Sequence, residues 1–202
     1  AFLAKKYAAL DQQPKREKHL DTILSSVGLL TNILNDFLSV GKIEEGKMPV
    51  NHHNLDIKKQ TEQIIDGLSA SKKVGQKIEY CHKGEQMIYL DGYIYNNILN
   101  NLISNAIKFS PKNSPISVAT VVEKQTIKIQ VKDEGIGISA EDQKNLMQRF
   151  HRGNNATHIQ GTGLGLHIVS KYVERLNGKI YWKSKENAGT TFFISLLRIY
   201  EE

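Results

Sequence analysis

The residues with the most distinctive chemistry are the asparagines of NNILNNLISNAIKFSP, residues 96–111, where five occur in the first ten positions. Asparagine is a poor helix former because its amide competes with the backbone for hydrogen bonds. The spacing of the apolar residues nevertheless predicts a helix over residues 92–109. On that helix Asn97, Asn101 and Asn105 recur at every fourth position, so they line a single stripe.

An apolar stripe runs beside these asparagines and places them at the edge of a predicted core. It consists of Ile94, Ile98, Leu102 and Ala106. Amide oxygens in this position can coordinate a hard cation, and magnesium accepts oxygen ligands while it bridges phosphates. The alternative is a helix face that is polar only because it meets water, and that alternative predicts Lys and Glu at these positions.

A second segment, VKDEGIGIS at residues 131–139, combines a carboxylate with a glycine-rich turn. Asp133 ends a predicted strand, and Gly135 and Gly137 leave the turn free of side chains. A carboxylate at a strand end can accept a hydrogen from the exocyclic amine of adenine, while the glycines let a planar base approach the backbone. An ordinary Asp-Gly turn is the alternative interpretation.

A third segment, QGTGLGLHIV at residues 160–169, has three glycines before an apolar helix, whose first amides can bind phosphate oxygens. A Rossmann dinucleotide site is excluded because the glycines follow a loop late in the chain and no parallel βαβ unit follows them. A Walker phosphate loop is excluded because its Gly-Lys-Ser/Thr end is absent.

A fourth segment, NAGTTFFISL at residues 187–196, introduces the last predicted strand. Gly189 allows a tight entry into that strand, and Thr190 offers a hydroxyl to the same site. A turn before an edge strand explains this segment equally well when it is taken alone.

The elements that must position these segments alternate between helices and strands. Helices are predicted at residues 56–71, 92–109, 139–152 and from near 163 to 176, with an irregular loop at 153–161. Strands are predicted at residues 77–83, 86–90, 116–122, 126–132, 179–183 and 190–197. The pattern predicts an α/β (α+β) two-layer sandwich, with three main helices on one face of a mixed sheet.

Residues 15–41 predict a separate long amphipathic helix, ended by Gly41. Its apolar seam consists of Leu20, Leu24, Val27, Leu30, Leu34 and Phe37. A seam this regular needs a partner helix, and dimerisation into a bundle would supply one. We therefore expect a helical-hairpin piece over residues 1–46 and a second domain over 47–202.

Composition limits the classes of partner. The 27 basic and 21 acidic residues give a net charge of +6, but the lysines are scattered and no basic patch is interleaved with aromatic residues. Nucleic acid is therefore not an expected partner. Cys81 is the only cysteine, which favours a reducing, cytoplasmic location and predicts a buried position in a strand. The sequence contains no apolar run of about 20 residues, so we do not expect this segment to contact a membrane. A longer parent protein could still be anchored elsewhere.

In this order and at these intervals, the four segments resemble the N, G1, G2 and G3 boxes of the GHKL (Bergerat) ATP-binding fold, specifically that of sensor histidine kinases. The resemblance covers residues 48–198. The segment LMQRFHRG (146–153) resembles the F box, with Phe150 in its expected place. Residues 15–46 resemble the second helix of a dimerisation and histidine-phosphotransfer hairpin.

The resemblance implies ATP and Mg²⁺ as cofactors and gives the helix a role. Asn105 would be the principal magnesium ligand and, with Asn101, part of the catalytic centre. Asn97 would support the metal and the triphosphate, and Lys108 would reach a phosphate.

The same resemblance implies roles for residues of the loops. Asp133 would hold the adenine amine with the help of Thr190, and Gly135 and Gly137 would flank the base. The mobile end of a phosphate lid would be formed by Gly161, Gly163, Leu164 and Gly165. Further phosphate contacts in that lid would be Arg152, His158 and Gln160.

The expected function is transfer of the γ-phosphate of ATP to a histidine, from which it is relayed to a response-regulator receiver domain. The longer parent protein is expected to be a homodimer that associates through the helical hairpin. No H-E-x-R-T-P acceptor motif occurs, so we expect the acceptor upstream, and His19 is interpreted as a surface or interface residue. An alternative is a nucleotide-binding module with a conformational role and little chemistry. A water-hydrolysing ATPase ranks last because Asn101 stands where such relatives place a glutamate base, and an amide cannot take up a proton.

Overall fold

The computed structural model describes residues 13–44, 48–156, 159 and 161–200. The chain forms two compact units, residues 1–42 and 43–202. The predicted domain boundary between residues 46 and 47 falls on residues outside the described part, as do His158 and Gln160.

Helix α1 (Gln13–Glu44) contains the predicted amphipathic segment. It continues past Gly41, so the predicted stop at this residue is wrong. A glycine inside a helix costs only about 1 kcal/mol relative to alanine, and the following residues continue the helix despite that cost. The apolar seam is exposed along its length, with relative exposures of 69% for Leu24, 64% for Leu30 and 64% for Phe37.

The second unit is built on a five-stranded mixed sheet. Its strands are β2 (Lys77–Gly84), β4 (Pro115–Val122), β5 (Thr126–Asp133), β6 (Lys179–Ser184) and β7 (Thr190–Leu197). They lie in the order β2-β4-β5-β7-β6. Strands β2 and β4 pair in parallel, and every other neighbouring pair is antiparallel. Strands β1 (His53–Asp56) and β3 (Met87–Leu90) form a small antiparallel sheet of their own.

The helices of this unit are α2 (Ile57–Gly67), α3 (Gly92–Phe109), the short α4 (Ala140–Gln143) and α5 (Gly165–Arg175). Helix α3 packs against α2, α5 and the sheet, and nine of its residues are buried in the core. Its bounds are the predicted ones. The predicted two-layer sandwich with three main helices is thus confirmed.

The predicted helix over residues 139–152 is wrong beyond its first turn. Ser139 caps helix α4 by accepting a hydrogen bond from the backbone N–H of Asp142 at 3.1 Å. The helix ends at Gln143, and Phe150 has a positive φ of 61°, a left-handed conformation that no α-helix accommodates. The segment after α4 is therefore a series of turns.

The two faces of the sheet differ in character. The inner face is apolar and covered by helices, with Ile116, Val118, Ile127 and Ile129 buried. The outer face is exposed and collects lysines that are distant in sequence: Lys83, Lys128, Lys132, Lys179 and Lys183. Cys81 lies on this outer face of strand β2 and is exposed, so its predicted burial is wrong. Strand β2 is an edge strand whose side chains at positions 78, 80 and 82 are half-buried on the inner face, so the side chain at position 81 points to the outer face.

Within the described part of the chain, no helix combines the length and the apolar character that a membrane span requires.

A buried hydroxyl pair joins α2 to α3. Thr61 and Tyr95 are fully buried, and their hydroxyl oxygens lie 2.5 Å apart. Because the Thr61 hydroxyl donates to the carbonyl of Ile57 at 2.7 Å, Tyr95 must be the donor in this pair. Burial raises the pKa of the Tyr95 hydroxyl, so it stays protonated and able to donate.

We predict that Tyr95→Phe lowers the free energy of unfolding by about 1–2 kcal/mol, since it removes the buried hydrogen bond that Tyr95 donates to Thr61. Denaturant titration measures the change. The matched control is Tyr93→Phe, which removes the hydroxyl of an exposed tyrosine on the same helix; it should change the free energy by less than about 0.5 kcal/mol. Equal effects of the two substitutions would contradict the assigned pair.

Candidate functional site

Helix α3 carries the asparagine stripe at the border of the core. The helix begins at Asp91, whose carboxylate accepts from the backbone N–H of Ile94 at 2.9 Å. Asn97, Asn101 and Asn105 are half-buried beside the apolar stripe. The predicted stripe is therefore present, and the three side chains face the same side of the helix.

The asparagine amides bond to their own helix, which compensates for their poor helix propensity. The Nδ2 of Asn97 donates to the carbonyl of Tyr93 at 2.8 Å, and the Nδ2 of Asn101 donates to the carbonyl of Asn97 at 2.9 Å. With the amide nitrogens held in this way, the Oδ1 atoms are left as acceptors. The side chain of Asn105 makes no hydrogen bond to the described residues, so its amide is available to a ligand.

The glycine-rich loop before α5 lies against this helix. A Cβ atom added to Gly165 would come within 2.6 Å of the Oδ1 of Asn101. A Cβ atom added to Gly161 would overlap the Nζ of Lys108. The structure thus brings the third predicted segment onto the asparagine helix, with an amide oxygen and an ammonium group facing glycine backbone.

Two cations lie near each other at the end of α3. The Nζ of Lys108 is 4.9 Å from the ring centroid of Phe109, and the side chain is half-buried. Burial lowers the pKa of Lys108, and the positive charge of Arg152 lowers it further. A site that holds two repelling cations is stabilised by an anion placed between or beside them.

The turn that contains Arg152 is held by that side chain itself. Its Nη2 donates to the carbonyls of Ala156 at 3.0 Å and Ile159 at 2.6 Å. Arg152 therefore bonds to loop carbonyls, and its predicted phosphate contact stays a prediction.

Gly163 has a positive φ of 72° and packs on the backbone of Phe150, whose N–H donates to the Gly163 carbonyl at 3.1 Å.

Asp133 is buried at the end of β5, beside the turn that contains Gly135. Its Oδ1 accepts from the backbone N–H groups of Gly135 at 2.8 Å and Thr190 at 3.3 Å. Burial raises the pKa of the Asp133 carboxyl, although the two backbone donors act to lower it. No hydrogen bond to Oδ2 occurs among the described residues, so this oxygen is left to accept from a ligand.

The glycines around Asp133 have a structural reason besides the predicted approach of a base, which stays a prediction. A Cβ atom on Gly135 would lie 2.7 Å from both the Asp133 Oδ1 and the carbonyl oxygen of Phe109. Gly137, with a φ of 64°, packs on the carbonyl of Lys185, and Gly189, with a φ of 82°, packs on that of Asp133. These glycines are required by the protein's own backbone, whether or not a planar base approaches them.

Sequence reasoning missed Ser184, which joins the turns around Asp133. Its hydroxyl accepts from the N–H of Ile138 at 2.9 Å, donates to the carbonyl of Gly189 at 3.1 Å, and lies 2.8 Å from the Thr190 hydroxyl. A signal was available, because pairing strands β6 and β7 as a hairpin sets Ser184 opposite Thr190.

Sequence reasoning also missed His167, which connects helix α5 to the segment that precedes the glycine-rich loop. Its Nε2 accepts from the Nε of Arg149 at 3.3 Å, since a guanidinium can only donate. The hydrogen of the ring is consequently on Nδ1, which donates to the carbonyl of Met147 at 2.9 Å. No spacing in the sequence indicated this contact.

Comparison with known proteins found similar proteins along most of this chain. Residues 93–199 match the family described as histidine kinase-, DNA gyrase B-, and HSP90-like ATPase. The chain is 31% identical over 200 residues to the signal transduction histidine-protein kinase BarA of Escherichia coli (strain K12), covering 91% of this chain and 21% of that protein. It is 32% identical over 193 residues to the sensor protein GacS of Pseudomonas syringae pv. syringae, and the match covers 91% of this chain and 21% of that protein. The chain thus spans about a fifth of the length of these curated relatives.

Solved structures show the same fold. The full-length protein ShkA in complex with AMPPNP superimposes with a TM-score of 0.79 at 19% identity, covering 93% of this chain and 40% of that one. The Acinetobacter baumannii histidine kinase AdeS gives a TM-score of 0.71 at 23% identity, and the superposition covers 88% of this chain and 83% of that one. The family match includes more than half of the chain, because it spans 107 (93–199) of the 202 residues. This chain therefore belongs to the histidine kinase-, DNA gyrase B- and HSP90-like ATPases, and the relatives that it matches along most of its length are sensor histidine kinases.

Proposed function

We propose that this chain is the catalytic core of a two-component sensor histidine kinase, which binds Mg-ATP and transfers its γ-phosphate to a histidine. The observation that carries the proposal is the approach of the glycine-rich loop to helix α3. There Gly165 faces the amide oxygen of Asn101, and Gly161 faces the ammonium group of Lys108. This arrangement would supply backbone amides and positive charge to a polyphosphate, and a side-chain oxygen to the metal ion bound to it.

The base end of the nucleotide would be read by Asp133. Its free Oδ2 can accept a hydrogen from the exocyclic amine of adenine, and its buried position strengthens that bond. Lys108 and Arg152 would bind the phosphates, whose negative charge would relieve the repulsion between the two cations.

A magnesium ion would depend on the nucleotide for most of its ligands. Among the described residues, no group of three His, Cys, Asp or Glu side chains could hold a metal. The amide oxygen of Asn105, which makes no hydrogen bond to the part of the chain that the structure describes, is a suitable hard ligand, with Asn97 and Asn101 in support. Bound there with the triphosphate, the ion would neutralise charge that develops on the transferred group.

The chemistry requires an acceptor from outside the site. A nitrogen of the acceptor imidazole forms a bond to the γ-phosphorus, the bond to the bridging oxygen breaks, and ADP leaves with that electron pair while the imidazole loses its proton. Asn101 is an amide and cannot take a proton from water, which disfavours hydrolysis. The chain's own residues would position the phosphate and stabilise its charge.

The partners follow from this proposal. The phosphate would pass from the histidine to an aspartate of a response-regulator receiver domain. The parent would be a homodimer through its helical hairpin, and the cytoplasmic location of this segment stays a prediction. The exposed apolar seam of α1 is the surface that a second copy would cover.

We predict that this chain, incubated with labelled ATP, magnesium and a separate hairpin carrying an H-E-x-R-T-P motif, labels the histidine of that hairpin. Asn101→Ala should lower the initial rate at least about tenfold, because an oxygen acceptor worth about 1.5–3 kcal/mol beside charged groups is lost. The matched control is Asn100→Ala. Asn100 also donates to the carbonyl four residues earlier, at 3.0 Å, but lies off the stripe, so its rate should change less than about twofold.

Other outcomes of this assay would identify the alternative functions. Nucleotide binding without any transfer would support the conformational module. Steady phosphate release in the absence of the hairpin would support a hydrolysing ATPase.

We predict that Mg-ATP binding weakens as the pH falls through the raised pKa of Asp133, because the protonated carboxyl loses its acceptor strength. A raised pKa in the folded state means that ionisation of Asp133 costs stability as the pH rises, so Asp133→Asn should not lower the melting temperature at neutral pH. The variant should bind Mg-ATP at least about tenfold more weakly at neutral pH, because the asparagine NH₂ faces the adenine amine.

Calorimetric titration across the acidic range measures both effects. Titration of the nucleotide phosphates is common to wild type and variant, so the difference between their pH profiles isolates Asp133. Parallel profiles would contradict its assigned role.

We predict that the chain forms dimers in sedimentation equilibrium and that Leu30→Asp dissociates them, because it places a charge in the apolar seam. Thr22→Asp is the matched control, since Thr22 is exposed and about 130° around the helix from the centre of the seam. A wild-type chain that stays monomeric at its highest soluble concentration would contradict self-association through this seam.

A further inference from the structure

A row of three polar residues crosses the end of the main sheet. Asp133 of β5 is paired with Thr190 of β7, and Thr190 is paired with Ser184 of β6. Directly paired residues point to the same face of a sheet, with Cβ atoms about 4.5–5.5 Å apart. Asp133 and Thr190 are buried, so the row lies on the face that is covered by the helices.

The hydroxyl of Ser184 has all of its hydrogen-bonding capacity in use. A serine hydroxyl has one hydrogen and two lone pairs. The hydrogen goes to the carbonyl of Gly189 at 3.1 Å, and one lone pair accepts the N–H of Ile138 at 2.9 Å. The 2.8 Å distance to Thr190 allows either oxygen to donate, and since the Ser184 hydrogen is assigned to the Gly189 carbonyl, we assign the hydrogen of this contact to the Thr190 hydroxyl.

The hydrogen bond to Ser184 determines whether the Thr190 hydroxyl can donate to a ligand or only accept from it. Because its single hydrogen is donated to Ser184, the hydroxyl of Thr190 presents only lone pairs beside Asp133. Asp133, in its ionised form, is also an acceptor only. The two residues together make an edge without a donor, and such an edge favours an amino group and disfavours a carbonyl.

We propose that Ser184 is a positioning residue that fixes the Thr190 hydroxyl as an acceptor and thereby sets the preference of the site for a 6-amino purine over a 6-oxo purine. The inference rests on the proposed nucleotide site and adds to it a residue that determines base specificity. Ser184 acts through Thr190 and does not itself touch the base. Without the Ser184 oxygen, the Thr190 hydroxyl would be able to rotate and donate to a 6-oxo group.

The test compares Mg-ATP with Mg-ITP, which has a 6-oxo group in place of the 6-amino group. The dissociation constants of both are measured by calorimetry on the full chain. Wild type should prefer ATP, and Ser184→Ala should lower the ratio of ITP to ATP dissociation constants about tenfold, the effect of one well-made hydrogen bond. Ser184→Thr retains the hydroxyl and should restore the ratio.

Two further variants separate a positioning role from a structural one. Thr190→Val keeps the shape of the side chain but removes the hydroxyl, so it should lower the ratio, and adding Ser184→Ala to it should have no further effect on the ratio. Ser195→Ala, which removes a hydroxyl from the outer face of the same strand β7, should leave the ratio unchanged.

The outcomes are distinguishable. A Ser184→Ala variant that weakens both nucleotides equally, or a Thr190→Val variant that keeps the wild-type ratio, would overturn the inference while leaving the nucleotide site intact. The second variant tests the inference even if Ser184→Ala does not fold. A wild-type chain that binds neither nucleotide would instead overturn the proposed function.

Discussion

A buried carboxylate at the end of a central strand is the constraint on which the rest of this structure depends. Asp133 needs backbone donors to remain in the core, and the turns on either side of it provide them through Gly135 and Thr190. For these turns to come close enough, Gly135 and Gly189 must lack a side chain. The glycine-rich turns and the carboxylate are therefore one structural unit, and the second carboxylate oxygen would accept from the ligand of the proposed site.

Helix α3 satisfies two requirements that usually conflict. Its apolar face fills the core between α2, α5 and the sheet, and its adjacent stripe keeps polar side chains near that core. Asparagine suits the stripe because its amide nitrogen can bond to the carbonyl one turn earlier while its oxygen remains free. A longer charged side chain would extend into water and would not hold an oxygen at a fixed position against the glycine-rich loop.

The cations at the end of α3 would favour a bound anion. Lys108 is half-buried near Arg152, and burial together with the positive charge of Arg152 lowers the pKa of Lys108. Arg152 also donates hydrogen bonds to two carbonyls of its own turn, which compensate in part for the repulsion between the two cations. In the proposed function, a polyphosphate would add charge-assisted hydrogen bonds to these groups, and such bonds are stronger than those between neutral groups.

The sequence by itself determined the order of the elements, the bounds of α3 and the asparagine stripe, because these depend on local periodicity and on residue types within a few positions. It also indicated Asp133, Thr190 and the glycines through motif spacing. Only the tertiary structure decided that Cys81 is exposed, that the helix after Ser139 ends at Gln143, and that the scattered lysines share the outer face of the sheet. The same is true of Ser184, His167 and the neighbours of each glycine, because these depend on strand register and on contacts between segments far apart in the chain, where local periodicity carries no information.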